Sequence, residues 1–439
     1  MIKFTRVSFK KAMKIHLIIL NLSIVILAFT TSPILLSARE NKSTEEKESL
    51  SLEDFIRIAK LNNPRIIQAR NELGRYRAIL RQKYSSRYPN IDLSSSHSQS
   101  RTIGTDTIKE YSHSVELAQD VFKGGGIYAE IEEAKAGLDE KVSEYREIEL
   151  DEIFEIKNTY YQILKIKHLI NVYQDIVRRR KGNADLIRLL YKAGREQRAN
   201  LLRAESEIAK AELNLSQAEN DLKIYKLKLN QLMGRDLYNT FRVKRKLQKT
   251  GIQASIKSLV RFAIDHRPEL TKQRAKIRQA KANLKQARSG LLPSLSLSAG
   301  YNFFGEDFSP DDESWNANIR FSLPLFDGFL SLSKINESKL EAENLHIEYK
   351  NLEKEIALEV NEAYLDLINS KKRFEVAKQY IKAAQEKADL SRLEYKQGAI
   401  SYRSLEIDEL SLTQAELDYV DALYDLSISM AQLNRALGK

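Results

Sequence analysis

Pro64 is answered by Pro268, and the same 204 residues separate Pro89 from Pro293, Phe122 from Phe326, Gly124 from Gly328, Tyr160 from Tyr364, Tyr191 from Tyr395, Gly194 from Gly398, Asn230 from Asn434 and Gly234 from Gly438. Anchors held in one register with no net insertion mark a tandem duplication. Whatever the first half folds into, the second must fold into as well. Residues 51–234 form the first repeat and 256–439 the second, with the basic, irregular stretch 235–255 as connector.

Each repeat reads as helix, two strands, a very long helix, a glycine turn and a further helix. Ser51, with Asp54 three residues on, caps a helix carried by Leu52, Phe55, Ile56 and Ala59, and Asn62-Asn63-Pro64 breaks and restarts it. From Gly126 to Ala193 no proline and only Gly137 and Gly182 interrupt a helical pattern, about 100 Å long at 1.5 Å per residue. Gly194 ends it, and Arg198 to Leu232 closes the repeat. Further on, Ala342, Leu345, Tyr349, Leu352 and Ile356 follow the 3-4-3-4 spacing of helices packed side by side in a coiled coil.

Between Pro293 and Gly328 the period changes to two. Leu295, Leu297, Ala299, Tyr301 and Phe303 alternate with Ser296, Ser298, Gly300 and Asn302; after an acidic turn, Trp315, Ala317, Ile319 and Phe321 alternate with Asn316, Asn318, Arg320 and Ser322. This is a hairpin with one apolar and one polar face. Its counterpart, Ile91 to Phe122, is weaker: Ser95, His97 and Gln99 stand where apolar groups are wanted, leaving room for a register shift or a bulge. Alternation alone fits a half-buried soluble sheet equally well. Four strands cannot close a barrel, however, and an open sheet with an apolar outer face aggregates. With the helix length and the export signal described next, a membrane barrel pooled from three chains, with about 12 strands, is the expectation. Leu295, Leu297, Tyr301, Trp315, Ile319 and Phe321 would face lipid, and Asn316, Asn318, Arg320 and Glu116 the pore.

Residues 1–38 have the form of an export signal: Lys3, Arg6, Lys10, Lys11 and Lys14 precede the apolar run Ile15 to Phe29, and Ser37-Ala38 offers a cleavage site. Its removal lowers the formal net charge from +11 to +6, a small excess that gives no signature of nucleic-acid binding. Residues 39–50 are charged and expected to be disordered. The absence of cysteine excludes disulfides, thiolate metal sites, a cysteine nucleophile and a lipid anchor on cysteine. The six histidines are scattered without an i,i+4 pair, and Gly124-Gly125-Gly126 lacks the Lys-Ser/Thr of a phosphate loop. No catalytic, cofactor-binding or metal site is expected, so energy for any transport must come from a partner.

The order of these pieces resembles that of the TolC-type outer-membrane efflux proteins. The resemblance spans Leu52 to Gly438. It rests on Leu52-Glu53-Asp54 through Asn63-Pro64 and its echo His266-Arg267-Pro268-Glu269-Leu270, on Leu292-Pro293-Ser294-Leu295, on Leu323-Pro324-Leu325-Phe326-Asp327-Gly328, on the turns Tyr191-Lys192-Ala193-Gly194 and Tyr395-Lys396-Gln397-Gly398, and on Leu433-Asn434 to Leu437-Gly438. It implies a mainly α fold with membrane β: a homotrimer sharing a 12-stranded barrel in outer-membrane lipid, a long coiled-coil α-barrel in the periplasm, and a belt near the helix middles where the connector packs. It also implies a passive exit duct of a tripartite efflux or type I secretion system, opened at its periplasmic tip by an adaptor (membrane fusion) protein and powered by an inner-membrane transporter of RND or ABC type. Tyr191, Lys192, Gly194, Arg195, Tyr395, Lys396, Gln397 and Gly398 would form the docking tip. The family's paired aspartates, six and nine residues past the second tip glycine, are Ser404 and Ile407 here, so no selectivity ring carries over; Glu406 and Asp408 are the nearest carboxylates. A non-channel periplasmic coiled-coil structural or adaptor protein is the alternative.

Overall fold

The computed structural model describes residues 49–101, 103, 104, 107–244 and 255–439. The export signal lies outside them, as does most of the 39–50 segment. The chain divides into a sheet unit, Ser85–Gly124 with Leu292–Leu325, and a helical unit holding the other described residues.

The helices are α1 (Leu52–Asn62), α2 (Pro64–Ser85), α3 (Gly126–Lys192), α4 (Arg198–Leu232), α5 (Ile256–His266), α6 (Pro268–Ser289), α7 (Leu330–Gln397) and α8 (Tyr402–Ala436). Boundaries of α1, α2 and α4 recur residue for residue in α5, α6 and α8, 204 positions on. The capping box forms as the sequence predicts: Ser51 Oγ accepts from the Asp54 N–H (3.3 Å) and the Asp54 carboxylate accepts from the Ser51 N–H (3.0 Å). That backbone donor, then the Ser51 hydroxyl and Arg57, draw the Asp54 carboxyl down to about 2.

Each helix break is tied to the end of its repeat. The Asn63 amide donates to Glu152 (2.7 Å) and to the Leu232 carbonyl (2.8 Å); Arg267, its counterpart, donates to the Ala436 carbonyl (3.1 Å) and to Glu359 (2.8 Å). Gly234 and Gly438 turn the chain there with φ of 64° and 77°.

The connector is anchored midway along α3. Phe241 is buried against Phe55 with ring centroids 5.4 Å apart, and the Tyr160 hydroxyl donates to the Lys244 carbonyl (2.7 Å). Strand β1 (Ser49–Leu50) pairs in parallel with β4 (Arg242–Val243). The expectation of disorder up to residue 50 is therefore corrected at Ser49 and Leu50: Leu50 is buried in the same apolar cluster as Phe55 and Phe241, which offsets the entropy of ordering it. Side by side, the long helices run in the order α4, α3, α8, α7, and α6 packs on both α3 and α7.

The sheet unit has strands β2 (Asn90–Ser100), β3 (Ile108–Lys123), β5 (Ser294–Gly305) and β6 (Asp312–Ser322), antiparallel in the order β2-β3-β5-β6. The β2–β3 register runs unbroken from Asn90 opposite Ala118 to Ser100 opposite Ile108, so the shift allowed for near Ser95 to Gln99 does not occur. A bulge falls instead in β3, between Asp120 and Phe122, and brings Phe122 opposite Leu295.

Candidate functional site

Residues directly opposite in an antiparallel ladder share a face. One face of the sheet therefore carries Ile91, Leu117, Ala299 and Ala317 in one row, Leu93, Val115, Tyr301 and Trp315 in the next, and the pairs Leu297–Ile319 and Leu295–Phe321 beyond. All six residues expected toward lipid lie on it, and Trp315, Ile319 and Phe321 are strongly exposed. The other face holds Asn316, Asn318, Arg320 and Glu116, as the alternation predicted, among serines and asparagines. Glu116 is directly opposite Asp92, and Gly300 lies between Glu116 and Asn316. A Cβ on Gly300 would meet Asn316 Oδ1 at 2.7 Å, a contact that the Asn316 side chain would have to turn aside to relieve.

The two glycine turns, between α3 and α4 and between α7 and α8, are built alike. Gly194 and Gly398 adopt φ of 71° and 76°, and the N–H groups of Arg195 and Ala399 donate to the carbonyls of Leu190 and Glu394 at 2.8 and 2.9 Å. Tyr191, Lys192, Gly194, Arg195, Lys396, Gln397 and Gly398 are exposed. Tyr395 is not: it is 5% exposed, packed with Ala184, Ile187, Tyr402 and Leu405, and its hydroxyl donates to Glu196 (2.7 Å). Its place on the docking surface is thus corrected to a place in the tip core. Burial, then the Glu196 hydrogen bond, pushes the Tyr395 phenol far above its ordinary range. Burial alone would raise Glu196; donors from Tyr395, Asn200 and the Gln197 N–H outweigh it and hold the carboxyl low.

Above the turns lies a charge network that reading the sequence missed. Arg179 of α3 grips Glu416 of α8 with two hydrogen bonds (2.9 and 2.5 Å) and stands 3.6 Å from Glu409, whose other oxygen accepts from Arg392 of α7 (2.5 Å). Glu409 is 1% exposed. Its signal was present: a carboxylate between Leu405 and Leu412 in the buried stripe of α8. Glu406 is buried on Arg203 (2.8 Å) and Asp408 takes Ser391 (2.5 Å) and Lys387 (3.1 Å), so both carboxylates nearest the missing aspartate pair serve contacts between helices of the same chain. Among the described residues no cluster of three His, Asp or Glu is placed to hold a metal, and no helix is long and apolar enough to cross a membrane.

A two-faced sheet, together with helices of 67 and 68 residues that each pack along a helix of 35, defines the TolC-like channel fold. It superposes on a CusC crystal structure with a TM-score of 0.80 at 17% identity, covering 91% of this chain and 95% of that one, and on the Campylobacter jejuni CmeC outer membrane channel with 0.79 at 18% identity, covering 88% and 85%. The profile of the family described as outer membrane efflux protein matches twice, at residues 55–235 and 259–439, and the chain belongs to that family. Protein CyaE of Bordetella pertussis is 24% identical over 305 residues, 67% of this chain and 64% of that protein. Cation efflux system protein CusC of Escherichia coli is 24% identical over 243 residues, 53% and 50%, and Nodulation protein T of Rhizobium leguminosarum bv. trifolii 22% over 367, 81% and 78%. The match thus spans just under two thirds of CyaE and half of CusC.

Proposed function

We propose that three copies of this chain close their sheets into one 12-stranded barrel in the outer membrane and their helices into a periplasmic duct. The assembly is the passive exit of a tripartite efflux or type I secretion system, docked at its tip by an adaptor protein and driven by an inner-membrane transporter of RND or ABC type. The observation that carries this reading is a sheet with one apolar face and, among the described residues, two unpaired edges, β2 and β6. Lipid tolerates no open edge. Family membership and the description of CusC as a cation efflux system protein support it.

The duplication supplies the missing partner. Within the chain β3 pairs with β5 across the two repeats, Leu117 opposite Ala299. The equivalent pairing, 204 residues on for one strand and back for the other, sets β6 against β2 of the next copy with Phe321 opposite Ser95. The helices follow the same logic. α3 is flanked by α8 and α6 of the other repeat, whereas among the described residues the counterparts α4 and α2 do not pack along α7. α7 instead exposes Leu340, Ile347, Leu358, Leu365, Val376 and Leu390, and α4 exposes Leu202, Leu213 and Ile224. A head-to-tail interface of this kind closes into a ring when the rotation between copies is a whole fraction of a turn, one third here.

Because the chain has no cysteine, Ser95→Cys with Phe321→Cys tests the closure directly. Oxidation should give covalent dimers and trimers and nothing larger; a soluble periplasmic monomer, or a ladder extending past three, would refute the ring. On the pore face Asp92, Glu110, Glu116, Asp120 and Asp312 outnumber Lys123 and Arg320. The barrel should therefore prefer cations, and Asp92→Asn with Glu116→Gln should roughly halve the cation-to-anion permeability ratio in planar bilayers. An unchanged reversal potential would place these carboxylates off the ion path.

A further inference from the structure

On the outward face of the first hairpin the polar side chains gather at its loop end, Gln119 at the opposite end apart, and the charges at the loop end are sorted by sign. The four carboxylates of β2 and β3 (Asp92, Glu110, Glu116 and Asp120) all lie on the pore face, by register. The outward face carries His97, Gln99, Lys109, Tyr111 and His113 instead.

These groups are held in place. The His97 ring stacks on Tyr111 with centroids 4.2 Å apart. His113 Nε2 lies 3.0 Å from the Phe308 carbonyl oxygen, which can only accept, so the proton sits on Nε2; Ser95 Oγ lies 2.8 Å from the remaining nitrogen. The Phe308 ring meets Tyr111 and His113 edge-on at 6.0 and 5.4 Å. The β5–β6 loop is thereby folded out over this face. Lys109 and Gln99, opposite each other one step nearer the loop, are exposed. The outward carboxylate of the other hairpin, Glu313, is engaged by the Tyr301 hydroxyl at 2.8 Å.

A ledge of donors and one exposed cation, directly above rows of Leu, Val, Tyr and Trp side chains, is complementary to a ligand with acyl chains below and a phosphate above. We propose that the loop end of the β2–β3 hairpin is a binding site for the phosphate-bearing headgroup of an outer-leaflet lipid, with Lys109, His97 and the Gln99 amide as its phosphate contacts. This rests on the barrel reading, which makes that face the lipid-facing one.

The test uses the full-length protein purified in mild detergent, with native mass spectrometry against lipid A, its dephosphorylated form and inorganic phosphate. Wild type should retain lipid A at least tenfold more strongly than either other probe. The double variant His97→Ala/Lys109→Gln should lose that tenfold, while Lys382→Gln, one charge removed from the exposed face of α7, should not. Equal retention of the dephosphorylated lipid, inorganic phosphate bound as tightly as lipid A, or an unaffected double variant would each overturn the site. Planar-bilayer conductance of the same preparations separates the two readings. A conducting assembly that retains no lipid A sinks this inference alone, and a non-conducting monomer sinks both.

Discussion

Gly234→Ala is expected to destabilise the helical unit by about 2–4 kcal/mol and to remove most of the folded protein from the membrane fraction. Two costs combine. The backbone there holds φ at 64°, a region where an L side chain is strained by about 1–2 kcal/mol. A Cβ would also lie 2.0 Å from the Asn62 carbonyl oxygen and 2.6 Å from its carbon, backbone atoms that cannot rotate away. Those atoms belong to the break between α1 and α2, which Asn63 ties to Glu152 and the Leu232 carbonyl, so relief of the clash would pull several hydrogen bonds apart. Gly194→Ala is the control: its φ is 71°, but nothing lies within 4 Å, and only the strain applies. Thermal unfolding of the two variants should differ clearly, and equal midpoints would mean that the Asn62 carbonyl yields without cost.

Arg179→Ala should loosen the ends of the helices without unfolding the protein. It removes the cation that holds Glu416 and stands beside Glu409, which keeps its bond from Arg392; breaking a fully buried pair costs about 3–5 kcal/mol, an upper bound for this partly exposed one. The Arg179 and Glu416 side chains are 19% and 14% exposed, so solvent screens the effect only in part. Together these two residues fasten one repeat to the other, α3 to α8. In the proposed duct that joint lies roughly 20 Å along α3 from the tip, at 1.5 Å per residue. The expected readout is a larger single-channel conductance and greater sensitivity of cells to bulky antibiotics. Arg179→Lys keeps the charge but not the two-pronged grip and should fall between. Wild-type conductance in both variants would detach the network from gating.

The duplication was legible because its anchors are residues with few conformational substitutes. Proline restarts α2 and α6, and glycine takes positive φ at the turns. The faces of the strands followed from a period of two. What stayed hidden depends on where one repeat departs from the other. Tyr191 and Tyr395 look equivalent in sequence, yet only Tyr395 is buried, because its hydroxyl finds Glu196, whereas the residue equivalent to Glu196 in the second repeat is Ile400. The Phe308 carbonyl receiving His113, and Arg179 reaching Glu416 across 237 positions, are pairings between side chains or loops far apart in the chain, and no local period encodes them.

Helix α7 carries two seams of different pitch. On its inner side Val360, Ala363, Leu367, Ser370, Ala377, Ala384, Ala388, Ser391 and Tyr395 are buried at heptad spacing. Across those 35 positions the heptad line drifts by about 100° around a straight helix. The exposed line from Leu358 through Leu365 and Val376 to Leu390 advances by 7, 11 and 14 residues and drifts by only about 40°. Over the same 32 positions the heptad line drifts by about 90°, so the angle between the two seams changes by about 50° along this part of the helix. In a ring of such helices that angle sets how sharply the wall bends from one helix to the next. In the proposed duct a wall whose bend varies with depth would give a bore that varies with depth, and its taper would follow from the mismatch between two spacings on one helix.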